Sequence, residues 1–220
     1  MPPTRKRFYM TENKCIAVFG ATGKVGREFV KMALDSGYSL RVLVRKRSSF
    51  ELNNDNRVEV IEGDATNAEG VAAVVAGSDV VVSVLGNPSR NVQIMFQATE
   101  NIMKAAAENP NPPRCLMVSS VGVGGSSWLI KMSLTLIGGR AGFKDYEDAE
   151  ARIRSEKIVP FIVVRPYALT DKPANGQYKI LPGQTAHFAK PIPRADVAKF
   201  FLDCVKDASR DGSCVNIGGV

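Results

Sequence analysis

The sequence has 220 residues, of which 45% are hydrophobic and 23% charged; such values are typical of a packed globular protein and exclude a disordered chain or a fibre. This length suits one sizeable core, so we expect a single domain over residues 14–220 after a short polar tail at 1–13. The excess of 29 Lys and Arg over 22 Asp and Glu, a net charge of +7, favours an anionic partner.

From Lys14 onward, short β-branched runs alternate with longer helical patterns, which is typical of βαβ units and a parallel sheet. The predicted strands are near-continuous apolar runs at 15–19, 40–44, 58–61, 80–84, 116–119, 161–164 and 215–217. The predicted helices carry apolar residues at helical spacing at 24–36, 68–76, 92–107, 144–155 and 194–205. This order predicts an α/β fold, a single doubly wound Rossmann-type domain with a mainly parallel sheet.

The connection at 122–142 is the least regular part of the predicted domain. Glycine pairs at 124–125 and 138–139 bracket an apolar segment around Trp128. A long connection inside a compact domain is often functional. Three interpretations remain open: a flap beside the substrate pocket, a packing excursion or a dimer surface.

The first predicted strand runs into the first helix through a turn with three glycines, where backbone N–H groups and the helix dipole meet a pyrophosphate. Gly20 permits the tight turn, Gly23 allows the close approach of a phosphate, and Gly26 allows the helix to pack closely on the strand. We therefore predict a dinucleotide site here. The turn contributes six predicted cofactor-binding residues: Gly20, Thr22, Gly23, Lys24, Val25 and Gly26.

The preference between the two nicotinamide cofactors is expected at the end of the second strand, about 20 residues further on, where an acidic residue marks NAD. Arg45, Lys46 and Arg47 stand there instead. Cations complement a 2′-phosphate, whereas a ribose hydroxyl prefers a carboxylate acceptor. Arg45 and Lys46 therefore predict NADP(H), with a basic surface turn as the alternative.

Further candidates follow the third and fourth strands. Asp64 and Ala65 lie in the turn after the third strand, where Asp64 is placed to bind the adenine amino group. The alternative for Asp64 is to cap the helix that begins at Ala68. Leu85 and Gly86 end the fourth strand and are expected to line the crevice beside the cofactor.

Motifs along almost the whole chain, 14–219, resemble the atypical short-chain dehydrogenase/reductases with an NmrA-like, NAD(P)H-binding fold. They are the glycine turn, Val44-Arg45, Gly63-Asp64-Ala65, Val118-Ser119-Ser120, Val164-Arg165-Pro166 and Arg194-Ala195-Asp196-Val197-Ala198. Within that group the likeness is greatest to the biliverdin-IXβ reductase/flavin reductase branch, through Leu169-Thr170-Asp171-Lys172-Pro173 and Gly176-Gln177-Tyr178.

The resemblance implies roles at the ends of the later strands. Ser120 matches the serine beside the nicotinamide and is the candidate catalytic residue, while Ser119 and Pro166 are candidate cofactor contacts. A strand-end capping role for both serines is the alternative.

One departure from the orthodox short-chain dehydrogenases bears on mechanism. Those enzymes use a Tyr-x-x-x-Lys pair, in which the lysine lowers the pKa of the tyrosine so that it serves as an acid or base. Tyr146 is followed four residues later by Glu150, which would raise that pKa, and no other tyrosine has the lysine. We therefore expect an NADPH-dependent oxidoreductase that passes hydride to a flavin, a quinone or a tetrapyrrole-like acceptor. The alternative is a non-catalytic NADP(H)-binding redox sensor or assembly and regulatory protein.

Other partners and site types find little support in the sequence. The four cysteines make no C-x-x-C pair and read as buried thiols of a reducing, cytoplasmic compartment, and with one histidine, His187, no metal site is expected. The basic runs lack the aromatic neighbours of a nucleic-acid surface, and no apolar stretch approaches the about 20 residues that span a bilayer. The expected partner is a small-molecule acceptor, with the chain a monomer or weak homodimer.

Overall fold

The computed structural model describes residues 14–52, 54–89, 91–124, 139–182 and 189–220. The strands within these ranges are β1 (Cys15–Phe19), β2 (Ser39–Val44), β3 (Val58–Glu62), β4 (Val80–Ser83), β5 (Arg114–Val118), β6 (Phe161–Pro166), β7 (Leu169–Thr170), β8 (Lys179–Leu181), β9 (Ile192–Pro193) and β10 (Ser213–Gly218). The helices are α1 (Lys24–Asp35), α2 (Ala68–Val75), α3 (Met95–Ala107), α4 (Arg140–Ser155) and α5 (Arg194–Lys206).

Eight of the strands form one sheet in the order β3-β2-β1-β4-β5-β6-β10-β8. All neighbours in it are parallel except β8, which runs antiparallel to β10. The predicted Rossmann-type α/β fold is thereby confirmed. The strand order reverses between β1 and β4, and ligands of such sheets bind in the crevice at the carboxyl ends of the strands at this point.

Helices cover both faces of the sheet, which explains why its strands read as continuous apolar runs. Ile16 and Val18 of β1 pack in the core shared with α1 and α5. Ala17 and Phe19, which point to the other face, pack in the core shared with α2, α3 and α4. Because β1 is buried on both sides, its carboxyl end is held firmly where it meets the glycine turn.

The third and fourth helices begin at residues other than the predicted ones. The helix predicted at 92–107 starts at Met95, because Asp145 of α4 accepts hydrogen bonds from the N–H groups of Met95 (2.8 Å) and Phe96 (2.9 Å). The helix predicted at 144–155 starts at Arg140, so the irregular connection ends before Gly142. Most of that connection, including 128–137, lies outside the described residues, as does His187.

Three short strands were not predicted. The pair β7 and β9 forms a small separate sheet, and β8 is a largely exposed strand that pairs with β10 at the end of the sheet's strand order. An exposed strand of three residues has no continuous apolar run by which the sequence could indicate it.

Two further properties concern the described part of the chain only. None of its helices is long and apolar enough to cross a membrane, and it contains no group of three potential metal-ligating side chains. All four cysteines are free thiols; Cys115 and Cys204 are buried, whereas Cys15 and Cys214 are only partly so.

Candidate dinucleotide-binding site

A cavity of about 480 Å³ opens at the carboxyl ends of β1, β2, β3 and β4, where the strand order reverses. Eight of the predicted site residues line it: Gly20, Thr22, Gly23, Arg45, Asp64, Ala65, Leu85 and Gly86. Their segments are distant in sequence, and the parallel sheet brings them together because equivalent strand ends meet at one edge.

The glycine turn has no room for side chains at two positions. Gly20 has a φ of 86°, and a Cβ added there would lie 2.9 Å from the Val84 carbonyl oxygen. A Cβ on Gly26 would lie 2.0 Å from the Gly20 carbonyl oxygen. The first turn of α1 therefore packs directly on the backbone that leaves β1, as the sequence predicted for Gly26.

The N-terminus of α1 is open for an anion. Gly23 caps the helix without a side-chain hydrogen bond, and no acidic residue lies in the first turn. Unpaired N–H groups and the positive end of the helix dipole attract a phosphate at such a position. Thr22 and Gly23 face this space directly, as cavity-lining residues.

The remaining predicted residues of the turn lie outside the cavity. The Nζ of Lys24 is 2.6 Å from an Oδ of Asp171, so its charge is already engaged. Val25 packs against the core, and Gly26 is buried beneath the turn. These three residues build the end of the helix rather than the wall of the cavity.

The three cations that follow β2 differ in where they lie. Arg45 lines the cavity and is exposed, and its charge acts on nearby Asp64. The guanidinium of Arg47 donates to the Val60 carbonyl at 2.5 Å, which directs it away from the cavity. Lys46 is exposed and does not line the cavity; its carbonyl accepts from the Ser49 hydroxyl. Arg45 alone of the three is placed to contact a ligand in the cavity.

Asp64 is a charged wall residue. Its Oδ1 accepts hydrogen bonds from the Thr66 N–H (2.8 Å) and hydroxyl (2.6 Å), and these bonds, together with nearby Arg45, lower the pKa of Asp64. The helix cap is Asn67, whose side chain accepts from the Glu69 N–H at 3.0 Å. The alternative interpretation of Asp64 as the cap of α2 is therefore wrong.

The candidates after β5 and β6 lie outside the cavity. Ser119 is 7% exposed, and its Oγ is buried without a hydrogen-bond partner in the described part of the chain. The Ser120 hydroxyl donates to the Val121 carbonyl at 3.2 Å, and Pro166 is buried at the end of β6. A buried hydroxyl without a partner is costly, which sets the Ser119 Oγ apart from the hydroxyl of its neighbour Ser120.

Tyr146 lies close to the cavity, but Glu150 is not what raises its pKa, as the sequence had predicted. A Cβ on Gly86, a cavity residue, would lie 3.4 Å from the Tyr146 hydroxyl. Burial is the main cause that raises the pKa of Tyr146, and the charge of Asp145 raises it further. A hydrogen bond with the Asn87 backbone lowers it, but not enough to reverse the shift. The Glu150 carboxylate is instead held by Arg165 in a buried two-bond pair, with Nε 2.8 Å from Oε1. The expected direction of the pKa shift is confirmed, but its expected cause is wrong.

The cavity also has lining residues that were not predicted: Phe19, Leu43, Val44, Gly63, Thr66, Val84, Pro88, Val92 and Ile94. Most are the last residues of predicted strands or direct neighbours of predicted site residues, and strand ends were a signal that could have found them. Val92 and Ile94 had been assigned to a helix. They reach the cavity because α3 begins later, and the Ile94 N–H donates to the Asn87 side chain at 2.9 Å.

Comparison with known proteins agrees with a dinucleotide-binding site at this cavity. The chain matches the family described as NAD(P)H-binding over residues 20–208, which is most of its length. The chain belongs to this NAD(P)H-binding family. The match includes the glycine turn, Arg45 and every other residue of the cavity wall except Phe19.

A curated relative of this NAD(P)H-binding protein is the chloroplastic divinyl chlorophyllide a 8-vinyl-reductase of Arabidopsis thaliana. The two are 23% identical over 229 residues, which cover 93% of this chain and 53% of the relative. The chain also spans only 34% and 20% of the length of two other curated relatives.

Two solved structures have the same fold. One is ChuY, an anaerobillin reductase from Escherichia coli, with a TM-score of 0.79 and 22% identity, covering 93% of this chain and 96% of ChuY. The other is a short-chain dehydrogenase/reductase from Veillonella parvula in complex with NADP, with a TM-score of 0.79 and 20% identity, covering 94% of each chain. At this identity the likeness concerns the fold.

Proposed function

We propose that this NAD(P)H-binding protein is an NADPH-dependent reductase that acts on a flavin, a quinone or a tetrapyrrole-like acceptor. The observation that carries the proposal is the position of Arg45, an exposed cation on the wall of a cavity that begins at the glycine turn. A guanidinium suits a phosphate at this position because its planar set of donors matches the phosphate oxygens.

Different residues of the cavity wall would bind different parts of the cofactor. The turn at Gly20 and Gly23 would hold the pyrophosphate against α1, and Arg45 would bind the 2′-phosphate. Asp64 has Oδ2 free of bonds from the described residues, so it would accept a hydrogen bond from the adenine amino group. The bound cofactor supplies a hydride.

The nicotinamide end would lie toward the ends of β4 and β5. Leu85 and Gly86 line the cavity on this side, and Ser119 and Ser120 follow the neighbouring strand β5. The unpaired Oγ of Ser119 supports a polar ligand group here. In this proposal, Ser119 and Ser120 orient the nicotinamide and the acceptor. The cofactor site and the acceptor site belong to one domain, which extends over residues 14–220.

The choice of acceptor follows from the state of Tyr146. A buried phenol whose pKa is raised is a weak proton donor, and it lacks the lysine that would lower that pKa. A conjugated acceptor takes hydride without a positioned acid, since its proton can come from water. The relative named for the reduction of divinyl chlorophyllide supports an acceptor of this conjugated kind.

The direct test is steady-state oxidation of NADPH with FMN or with a quinone as acceptor. We expect turnover with at least one of them and a measurable loss in Ser120→Ala. NADPH binding without turnover on any conjugated acceptor would reject the reductase and favour the redox sensor or regulatory protein. No binding of NADPH would reject both.

A further inference from the structure

The cavity has an apolar wall that comes from the loop between β4 and α3. Pro88, Val92 and Ile94 of this loop line the cavity, and we call these three residues the apolar wall. The loop ends at Ile94, whose carbonyl accepts from the Ala98 N–H at 2.9 Å and so begins the hydrogen bonds of α3. The position of the apolar wall therefore depends on where α3 begins.

The start of α3 has no capping side chain of its own, since Ile94 occupies the capping position. Asp145 of α4 supplies the cap: one carboxylate oxygen accepts from the Met95 N–H at 2.8 Å and the other from the Phe96 N–H at 2.9 Å. In a helix that began at Val92, the Phe96 N–H would bond to the Val92 carbonyl instead. Asp145 therefore favours the later start, which keeps Val92 and Ile94 out of the helix.

The loop is closed on itself, so its residues move together with the start of α3. The Asn87 side chain accepts from the Ile94 N–H at 2.9 Å, and the Val92 N–H donates to the Ser89 carbonyl at 3.3 Å. A shift of Ile94 would be passed on to the rest of the loop through these bonds. The cap at Met95 and Phe96, which directly follow Ile94, thus acts on the whole apolar wall.

The apolar wall lies on the side of the cavity that would hold the adenosine half of the cofactor. It shares the cavity with Arg45 and Asp64, the proposed contacts of the 2′-phosphate and the adenine. The turn that carries Asp64 packs beside α3, because the buried Nδ2 of Asn101 donates to the Ala65 carbonyl at 3.0 Å. An adenine ring has a polar edge and two largely apolar faces, and burial of a face against apolar side chains is favourable.

We infer that Asp145 is a positioning residue for the adenosine half of the site: it fixes the start of α3 and so holds the apolar wall against the adenine. This inference rests on the proposed NADPH binding. Asp145 does not line the cavity itself, so its effect passes through the apolar wall. Its replacement has two opposite effects, because release of the wall weakens binding whereas loss of a negative charge favours an anionic ligand.

The test compares Asp145→Ala with Asp145→Asn by calorimetric titration of adenosine 2′,5′-bisphosphate. Both variants remove the same charge, but asparagine keeps an oxygen that accepts a hydrogen bond, so the difference between them reports the cap. Asp145→Ala should bind about two- to five-fold more weakly than Asp145→Asn, since a helix cap of about 1 kcal/mol limits the effect to about five-fold. Equal affinities of the two variants would overturn the inference.

A second measurement asks whether Asp145 acts through the apolar wall. The same two variants are prepared in an Ile94→Ala background. The difference between them should shrink there, because the side chain that the cap positions has been removed. An undiminished difference would show that Asp145 acts by another route, and this would overturn the inference.

The matched control is the pair Glu100→Ala and Glu100→Gln. Glu100 also joins α3 to α4, through an ion pair with Arg152, but it does not line the cavity. The two control variants should bind the bisphosphate equally. A difference as large as that between the Asp145 variants would show that any loosening of α3 from α4 suffices, and would overturn a specific role of Asp145.

Thermal melting should show that every variant is folded at the temperature of the titration, because about 1 kcal/mol is small beside the stability of a domain. All of these outcomes leave the proposed function intact, since they concern only the size of the effect of Asp145. No binding of NADPH or of the bisphosphate by the parent protein would overturn the proposed function and this inference with it.

Discussion

Arg45 provides the sharpest test of the cofactor assignment. Replacing it by glutamine removes one exposed charge from the cavity wall, where Arg45 lies near Asp64. Asp64, whose pKa Arg45 helps to lower, would contact the adenine of both cofactors, so a loss of affinity confined to NADPH would report the contact of Arg45 with the 2′-phosphate. NADH, which lacks the 2′-phosphate, should be almost unaffected.

The expected size follows from the exposure of the side chain. A charge-assisted hydrogen bond to a phosphate contributes about 1.5–3 kcal/mol, and solvent screening at an exposed site favours the lower part, about 1.5–2 kcal/mol. At about 1.4 kcal/mol per tenfold change, Arg45→Gln should weaken NADPH binding by about 10- to 30-fold. Arg45→Glu should go further and improve NADH binding, because a carboxylate suits a ribose hydroxyl.

Calorimetric titration of both cofactors against the parent protein and each variant gives the measurement. Arg47→Gln is the matched control: it removes the same charge from the same turn, but its guanidinium donates to the Val60 carbonyl and lies outside the cavity. Equal affinities for NADPH and NADH in the parent protein would refute the reasoning. So would an equal loss of NADPH affinity in the Arg45 and Arg47 variants.

Three further predictions address the turn, the buried pair and the reaction. Gly26→Ala should lower the melting temperature and abolish NADPH binding, because its Cβ would lie 2.0 Å from a backbone oxygen of the turn; normal melting and titration would contradict this packing. Glu150→Gln should reduce the free energy of unfolding in urea by about 3–5 kcal/mol, since it leaves Arg165 charged and buried without an anionic partner. The double change Glu150→Leu and Arg165→Met should cost much less, and an equal cost would argue against an unpaired charge as the cause. Tyr146→Phe should keep most NADPH:flavin turnover while Ser120→Ala loses a measurable part, both with unchanged melting. If Tyr146→Phe abolished turnover with NADPH affinity intact, a carbonyl substrate would be the better assignment.

Local constraints explain why the fold and half of the site could be predicted. A strand covered on both faces must be apolar along its whole length, so β1 could be placed from its sequence alone, with the same bounds as in the structure. The glycine turn could be recognised for the same reason, since the limits on Gly20 and Gly26 arise between residues only a few positions apart. The cavity at the strand ends then followed from the order of strands and helices.

Contacts between distant parts of the chain decided the rest. Asp145 sets where α3 begins from 50 residues away, and this frees Val92 to line the cavity. Glu150 binds Arg165 rather than acting on its neighbour in sequence, Tyr146. In the sequence, Arg45 stands beside two other cations, and nothing distinguishes them. The pairing of β2 with β3 brings the Val60 carbonyl to the guanidinium of Arg47, which leaves Arg45 as the cation on the cavity wall.

The ion pair between Lys24 and Asp171 shows the same division most clearly. The sequence determined that Lys24 follows the glycine turn and that Asp171 follows the sixth strand of the sheet, each from a pattern a few residues long. Only the tertiary structure decided that the two side chains meet, across 147 residues of chain. The physical reason is that backbone geometry and apolar periodicity are properties of neighbouring residues, whereas the partner of a charged side chain depends on which helices the folded sheet places side by side.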